Sequence, residues 1–228
     1  MRTSLLSTLL LLISLSCLAD EKGRPLKWGF VSFPPYHSNE NGEVVGSIAE
    51  KINFVFEKAK IEYSAAELPN KRVKLYIERG NIDFTTVIES FISSPELYFR
   101  SELPVYTIKL SAICLKDNLQ ISNLEDLKKL EMILISGYTY GQSKVINDQN
   151  GFNVALLAKN HENAVNALIF KRADCALGYT LPFNVEKLKH TETNLHLYPI
   201  GELPVYLYLN KTVPNAIHIM QTINQNNL

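Results

Sequence analysis

Rings, hydroxyls and a few charged ends gather at four places in the chain where apolar runs give way to turn residues. Phe33-Pro34-Pro35-Tyr36 offers two rings set by two prolines, and Pro69-Asn70-Lys71-Arg72 an amide and a guanidinium. Glu89-Ser90 puts a carboxylate beside a hydroxyl, and Gly137-Tyr138-Thr139-Tyr140-Gly141 holds two phenols and a hydroxyl between glycines. This is the chemistry of noncovalent recognition. Rings stack on planar or aliphatic parts of a solute, an arginine forks a carboxylate, and backbone N–H groups beside glycines receive an anionic group. Plainer uses stay open for each: Phe33 and Tyr36 as packing under their loop, Arg72 as a solvated helix-start residue, Glu89 as a cap on the following turn, Tyr138 to Tyr140 as a solvated turn. Catalysis finds less support. The sequence has no G-x-S-x-G elbow, no Cys–His pair and no paired carboxylates at these loops, so Glu89 is the acid any reaction would have to use. The histidines (His37, His161, His190, His196, His218) show no i, i+4 pair and no cysteine at ligand spacing, so no metal site is expected, and no cofactor.

For those loops to meet, the elements before them must end on one side of a sheet. Residues 26–31 read as a strand. Ser47 and Glu50 form an S-x-x-E capping box, after which Ile48, Ala49, Ile52, Val55, Phe56 and Ala59 recur at helical spacing. Residues 61–68 alternate as a strand, Pro69-Asn70 breaks it, and 71–79 read as a helix stopped by Gly80 at C′. Residues 81–88 are a third strand. The order β-α-β-α-β predicts a parallel sheet with helices on its faces. A loop over 89–102 and a long apolar run over 105–115 follow. Ser122 and Glu125 make a second capping box, 132–135 a strand, 142–149 a helix, 153–157 a strand, 160–172 a helix capped by Asn160, and 173–178 a strand. A second α/β unit is thus nested between residue 110 and about 201. Glu-Leu-Pro-Val-Tyr occurs twice, at 102–106 and 202–206, each time opening an apolar strand. The pair suggests the two places where the chain leaves the first lobe and returns. Residues 214–227 read as a helix packing back on that lobe, with Pro214 at its start.

The N-terminus carries Met1-Arg2, an apolar run over 5–15 and Cys17-Leu18-Ala19, the layout of a secretion signal cut after Ala19. What remains is long enough for two lobes of roughly 100 residues each. Formal net charge is +0, with no basic stripe or acidic tail, so nucleic acid is not an expected partner. Hydrophobic residues make up 46% and charged ones 20%, which argues against long disordered stretches. Outside the leader, Cys114 and Cys175 sit in strand-like runs and read as inert core residues, while an oxidising compartment would permit a bridge.

These pieces resemble the family 3 periplasmic solute-binding proteins, the receptors of polar amino acid ABC transporters, over nearly the whole mature length. The residues that carry the likeness are Phe33-Pro34-Pro35-Tyr36, Asn41-Gly42 with Gly46 and Glu50, Arg72 with Gly80-Asn81-Ile82-Asp83, and Ser94-Pro95-Glu96. Leu124-Glu125-Asp126-Leu127, Gly137 to Gly141, and Ala164 with Arg172-Ala173-Asp174 continue it. The resemblance implies an α/β fold of two parallel-sheet lobes joined by two crossing strands, the type 2 periplasmic binding protein fold, with a solute in the cleft and closure by hinge motion. Lobe 1 would take 20–109, lobe 2 110–201, and the return strand and last helix 202–228. In open parallel sheets ligands sit beyond the carboxyl ends of the strands, which makes Phe33, Tyr36, Asn70, Arg72, Glu89, Ser90, Tyr138, Thr139 and Tyr140 the candidate ligand contacts.

The chain also departs from that family. Its amino acid binders carry an arginine after the third-strand loop to clamp the ligand carboxylate, where this sequence has Leu97, and acids to hold the ammonium group, where it has Phe30 and Tyr179. Arg100 is the nearest cation. A zwitterion left without partners in a dry cleft costs about 3 to 5 kcal/mol. The expectation is therefore an exported, periplasmic, monomeric protein that captures a small polar or aromatic solute, with Tyr179 added to the contacts, and passes it to an inner-membrane ABC permease. An orphan sensor of the same fold is the alternative, and a dehydratase-like enzyme a more remote one.

Overall fold

Residues 24–142 and 151–226 are described in the computed structural model of the chain. The leader expected over 1–19 and, but for Gln142, the helix expected over 142–149 lie outside the described residues.

The first apolar run becomes β1 (Leu26–Phe30), with all but one side chain buried, as expected of a strand covered on both faces. A hairpin of β2 (Ser38–Glu40) and β3 (Glu43–Val45) turns through Asn41 and Gly42 at φ of 54° and 92°, the positive pair that a two-residue turn between antiparallel strands requires. Helix α1 (Ser47–Lys58) buries Ile48, Ala49, Ile52, Val55 and Phe56. The capping box expected at its start is not formed. Gly46, at φ 110°, is the N-cap, Glu50 N donates to Gly46 O at 2.9 Å, and Ser47 Oγ is buried without a partner among the described residues. A Cβ on Gly46 would fall 2.6 Å from the Pro35 and Tyr36 carbonyl oxygens, so glycine lets the helix start press against the aromatic loop.

Strand β4 (Tyr63–Glu67), helix α2 (Asn70–Glu78) and β5 (Phe84–Ile88) complete the first unit. Gly80 follows α2 at φ 70°, the left-handed stop expected there. Short 3-10 turns at Glu89–Phe91 and Pro95–Leu97 lead to β6 (Tyr98–Arg100) and β7 (Tyr106–Cys114). The element near Ser122 is a 3-10 turn, Glu125–Lys129, and its cap is displaced by one residue from the expected box. Asn123 Oδ1 accepts from the N–H groups of Glu125 and Asp126, and Asp126 accepts from Ser122. Then come β8 (Glu131–Ile135), β9 (Asn153–Ala158), α3 (His161–Ile169), β10 (Cys175–Tyr179), α4 (Thr180–Lys189), β11 (His196–Asn210) and α5 (Ala216–Gln225). Asn160 caps α3 as expected, its Oδ1 accepting from Asn163 N at 2.9 Å. Helix α5 starts after Pro214, with Asn215 as N-cap.

Among the described residues one sheet runs β4-β1-β5-β11-β7-β10-β8-β9, with β6 also on β11. β4, β1 and β5 are parallel, as are β10, β8 and β9. Between these groups lie β11 and β7, antiparallel to each other and to their outer neighbours. Two parallel α/β units joined by two long antiparallel strands is the architecture expected from the sequence. The repeated pentapeptide marks the crossing: Val105 N donates to Val205 O at 2.8 Å, and Val205 pairs with Tyr106.

In the core of the first unit Trp28, fully buried, stacks on Phe84 at 5.9 Å, with Phe56 4.9 Å from Phe84. Burying each such ring stabilises the fold by roughly 1.5 to 3 kcal/mol. The reading of Cys114 and Cys175 as inert is corrected here. They face each other on β7 and β10, Cα atoms 4.3 Å apart, and form a disulfide, because antiparallel pairing places directly opposed side chains at that separation.

Candidate ligand-binding site

The carboxyl ends of β1, β5, β8 and β10 converge, and the loops leaving them line a cavity of about 120 Å³ that is partly open to solvent. From β1 come Val31, Phe33 and His37; from the start of α2, Asn70; from β5 and its turn, Thr86, Ile88 and Phe91. The opposite wall is Gly137, Tyr138 and Thr139 after β8 and Tyr179 at the end of β10, with Ile108 and Val205 of the crossing strands as the floor.

The two walls touch. Ser90 Oγ and Thr139 Oγ1 share a hydrogen bond at 3.0 Å, and the Phe33 ring lies 5.1 Å from Tyr179 and 6.2 Å from Tyr138, edge to face in both cases. Tyr138 and Tyr179 are themselves 5.4 Å apart. Such pairs are worth about 0.5 to 1.5 kcal/mol each beyond burial. Gly137 brings the β8 turn close to α2, since a Cβ there would sit 3.6 Å from Asn70 Nδ2. Two polar side chains lining the cavity, His37 at Nδ1 and Thr86 at Oγ1, are buried without a partner among the described residues. Burial lowers the His37 pKa to about 4, so the imidazole is neutral. Burial likewise pushes the Tyr138 phenol up to about 12 and holds Tyr179 well above its usual value. Among the described residues no Asp, Glu, Lys or Arg lines the cavity.

Beyond Phe33 and Tyr138, which face both spaces, a groove of about 610 Å³ opens between the Pro34-Pro35 loop and the helices α3 and α4. Lys159, Glu162, Glu186 and Lys189 lie along it. His161 stands at its edge, where Nε2 accepts from Tyr179 N at 3.2 Å and burial lowers its pKa to about 4.

Of the residues singled out in the sequence, Phe33, Asn70, Tyr138, Thr139 and Tyr179 line the cavity, and Ser90 joins the two walls beside it. Tyr36 and Tyr140 do not reach it. Tyr36 packs between Phe33 and Tyr106 at 4.8 and 5.4 Å, and Tyr140 is buried in the second unit, its Oη accepting from Ile135 N at 2.6 Å. Arg72 is exposed on α2, and exposed Glu89 pairs with Arg100 at 3.7 Å. Arg100 caps the Tyr206 ring at 4.4 Å and does not replace the missing clamp. His37 and Thr86 were not singled out in the sequence. His37 directly follows the aromatic loop, and Thr86 is the central residue of a β-branched strand, so position after β1 and in β5 is the signal that pointed to them.

Compared with known proteins, the chain matches solved structures across most of its length. A histidine kinase sensor domain with similarity to periplasmic binding proteins superposes with a TM-score of 0.72 at 14% identity, covering 90% of each chain. The GluR0 ligand-binding core in complex with L-glutamate gives 0.70 at 16%, again over 90% of each chain. The chain has the two-lobed type 2 periplasmic binding protein fold. A truncated, arginine-bound ArgBP from T. maritima is a further match, with a TM-score of 0.66 at 18% identity over 90% of this chain and 96% of that one. No family model and no curated protein matches the sequence.

Proposed function

We propose that the protein is an exported solute-binding protein that holds a small molecule in the cleft between its lobes and closes on it by hinge motion. The observation that carries this reading is the cavity lined by loops of both α/β units and bridged by Ser90 and Thr139. Strand order supports lobes over 20–109 and 110–201, with 202–228 returning to the first, and the flexing segments would be β7 and β11 where they cross. The Cys114–Cys175 bridge supports an oxidising compartment outside the cytoplasm. Binding rather than turnover fits a cavity with no Asp, Glu, Lys or Arg at its wall among the described residues. Delivery to an inner-membrane ABC permease is the role that the sequence resemblance favours, and solved neighbours that bind arginine or L-glutamate agree with a small-molecule ligand.

A sensor role is the second reading, favoured by the match to a histidine kinase sensor domain. Both predict binding, so the first test is a thermal-shift screen of residues 20–228 against amino acids, polyamines, carboxylates and neutral aromatic and aliphatic solutes. A ligand at 100 times its dissociation constant adds about 2.7 kcal/mol, or roughly 5 to 10 °C for a chain of this size. No shift with any solute refutes the reading. Loss of uptake of the stabilising solute in cells lacking the protein marks transport, and intact uptake with a lost response marks sensing.

A further inference from the structure

We propose, resting on the reading of this cleft as the solute site, that its cavity selects a compact, uncharged, largely apolar solute carrying one or two hydrogen-bonding groups, and excludes the zwitterionic amino acids. Three observations carry this. Among the described residues the walls offer an incoming ion no counter-charge: Arg72 is exposed on α2, and Glu89 and Arg100 are engaged with each other and with the Tyr206 ring. An ion moved there gives up its hydration for nothing, a loss of several kcal/mol per ion. Second, the polar groups that are present suit a neutral partner. Thr86 and His37 line the cavity, with Oγ1 and Nδ1 buried and without partners among the described residues, so a small side-chain turn toward a solute hydroxyl, carbonyl or amide relieves the cost of leaving them so. Third, the cavity holds about 120 Å³, less than the roughly 150 Å³ of an apolar cavity that accepts benzene. It therefore favours a solute of at most about six heavy atoms, smaller than arginine or glutamate.

The test uses isobutyramide and isobutyrate, equal in skeleton and different in charge, with alanine as the zwitterion. Titration of the protein, followed by ligand-observed NMR, reads each affinity. The expected result is that isobutyramide binds about a hundredfold more tightly than isobutyrate or alanine, and that Thr86→Val, close to wild type in shape, weakens the amide by about fivefold or more. Ile108→Phe, which fills the cavity, removes amide binding, with circular dichroism reporting that it folds. Isobutyrate or alanine binding as tightly as the amide, and weakened by Thr86→Val, overturns the proposal while the solute-binding reading stands. So does a charged ligand indifferent to Thr86→Val and lost on Lys189→Met, which places the site in the groove beyond Phe33. Failure of every neutral probe alongside stabilisation by a larger solute also overturns it alone. If no solute of any kind binds, both readings fall.

Discussion

Two histidines hidden beside the cleft tie this fold to pH. His161 accepts from Tyr179 N, which it does only while Nε2 is unprotonated, and His37 lies against Trp28, Phe30 and Phe33. Burial lowers both to about 4, below the ordinary value near 6.5. Between those values the unfolded chain takes up protons that the folded chain refuses, so stability is full above about pH 6.5 and falls as pH drops toward 4. Each histidine costs about 2 kcal/mol at pH 5 and about 3 once both states are protonated. Urea melts at pH 7.5 and 5 check this: His161→Gln, which keeps an acceptor and cannot titrate, should lose about 2 kcal/mol less than wild type between the two. An equal loss in both refutes the assignment. The sequence made these histidines visible only as scattered, unpaired metal ligands. Residue types located the loops well, since Phe33, Asn70, Tyr138 and Thr139 do line one cavity. They did not say which way a ring turns. Tyr36 and Tyr140 share those loops, yet Tyr36 packs against Tyr106 of the crossing strand and Tyr140 turns into the second unit toward Ile135, because residues along a tight turn leave on different sides.

At the scale of elements, starts were harder to read than interiors. Alternation and apolar runs marked β1, β4, β5, β7, β8, β9 and β10 and helical spacing the buried face of α1, but the three-residue strands β2, β3 and β6 lie in stretches read as turn or loop, and both expected capping boxes failed for a local reason. Gly46 takes a positive φ to bring α1 under the aromatic loop, and Asp126 rather than Glu125 reaches back to Ser122. Helix α4 went unread because it begins one residue after β10 with no turn signal. It is anchored by Thr180 Oγ1, which donates to Lys109 O at 3.1 Å. Where a cap is made, its worth is measurable: Asn160→Ala should cost about 1 kcal/mol in chemical denaturation, with Asn160→Asp nearly neutral. The larger element-scale effect is the bridge between β7 and β10. Cys114 and Cys175 are 61 residues apart in sequence, and tying such a loop in the unfolded chain is worth about 4 kcal/mol. Cys114→Ala with Cys175→Ala, or reduction of the wild type, should lower the melting temperature by roughly 10 °C. An unchanged melting curve under a reductant that frees both thiols would show that the bridge adds nothing.

For the whole molecule, the two crossing strands were legible because a repeated pentapeptide leads into β7 and lies within β11, which begins earlier than expected, at His196, and their pairing is what lets two α/β units share one sheet. What closes them was not legible, since Ser90 and Thr139 are small, common residues 49 positions apart whose meeting depends on the angle between the lobes. That hydrogen bond joins the closed walls and would have no partner in an open form. A neutral hydrogen bond contributes about 1 kcal/mol, so Ser90→Ala or Thr139→Val should weaken binding of the stabilising solute about fivefold, mostly through faster release. Because each removes the same bond, the double variant should be no weaker than either single one. Solution scattering adds the shape: wild type should contract on saturation with solute, and the double variant should contract at proportionally higher solute concentration. Contraction with no loss of affinity would assign closure to the Phe33, Tyr138 and Tyr179 ring contacts instead, and Phe33→Leu, which keeps the apolar wall and removes the ring, should then carry the larger effect.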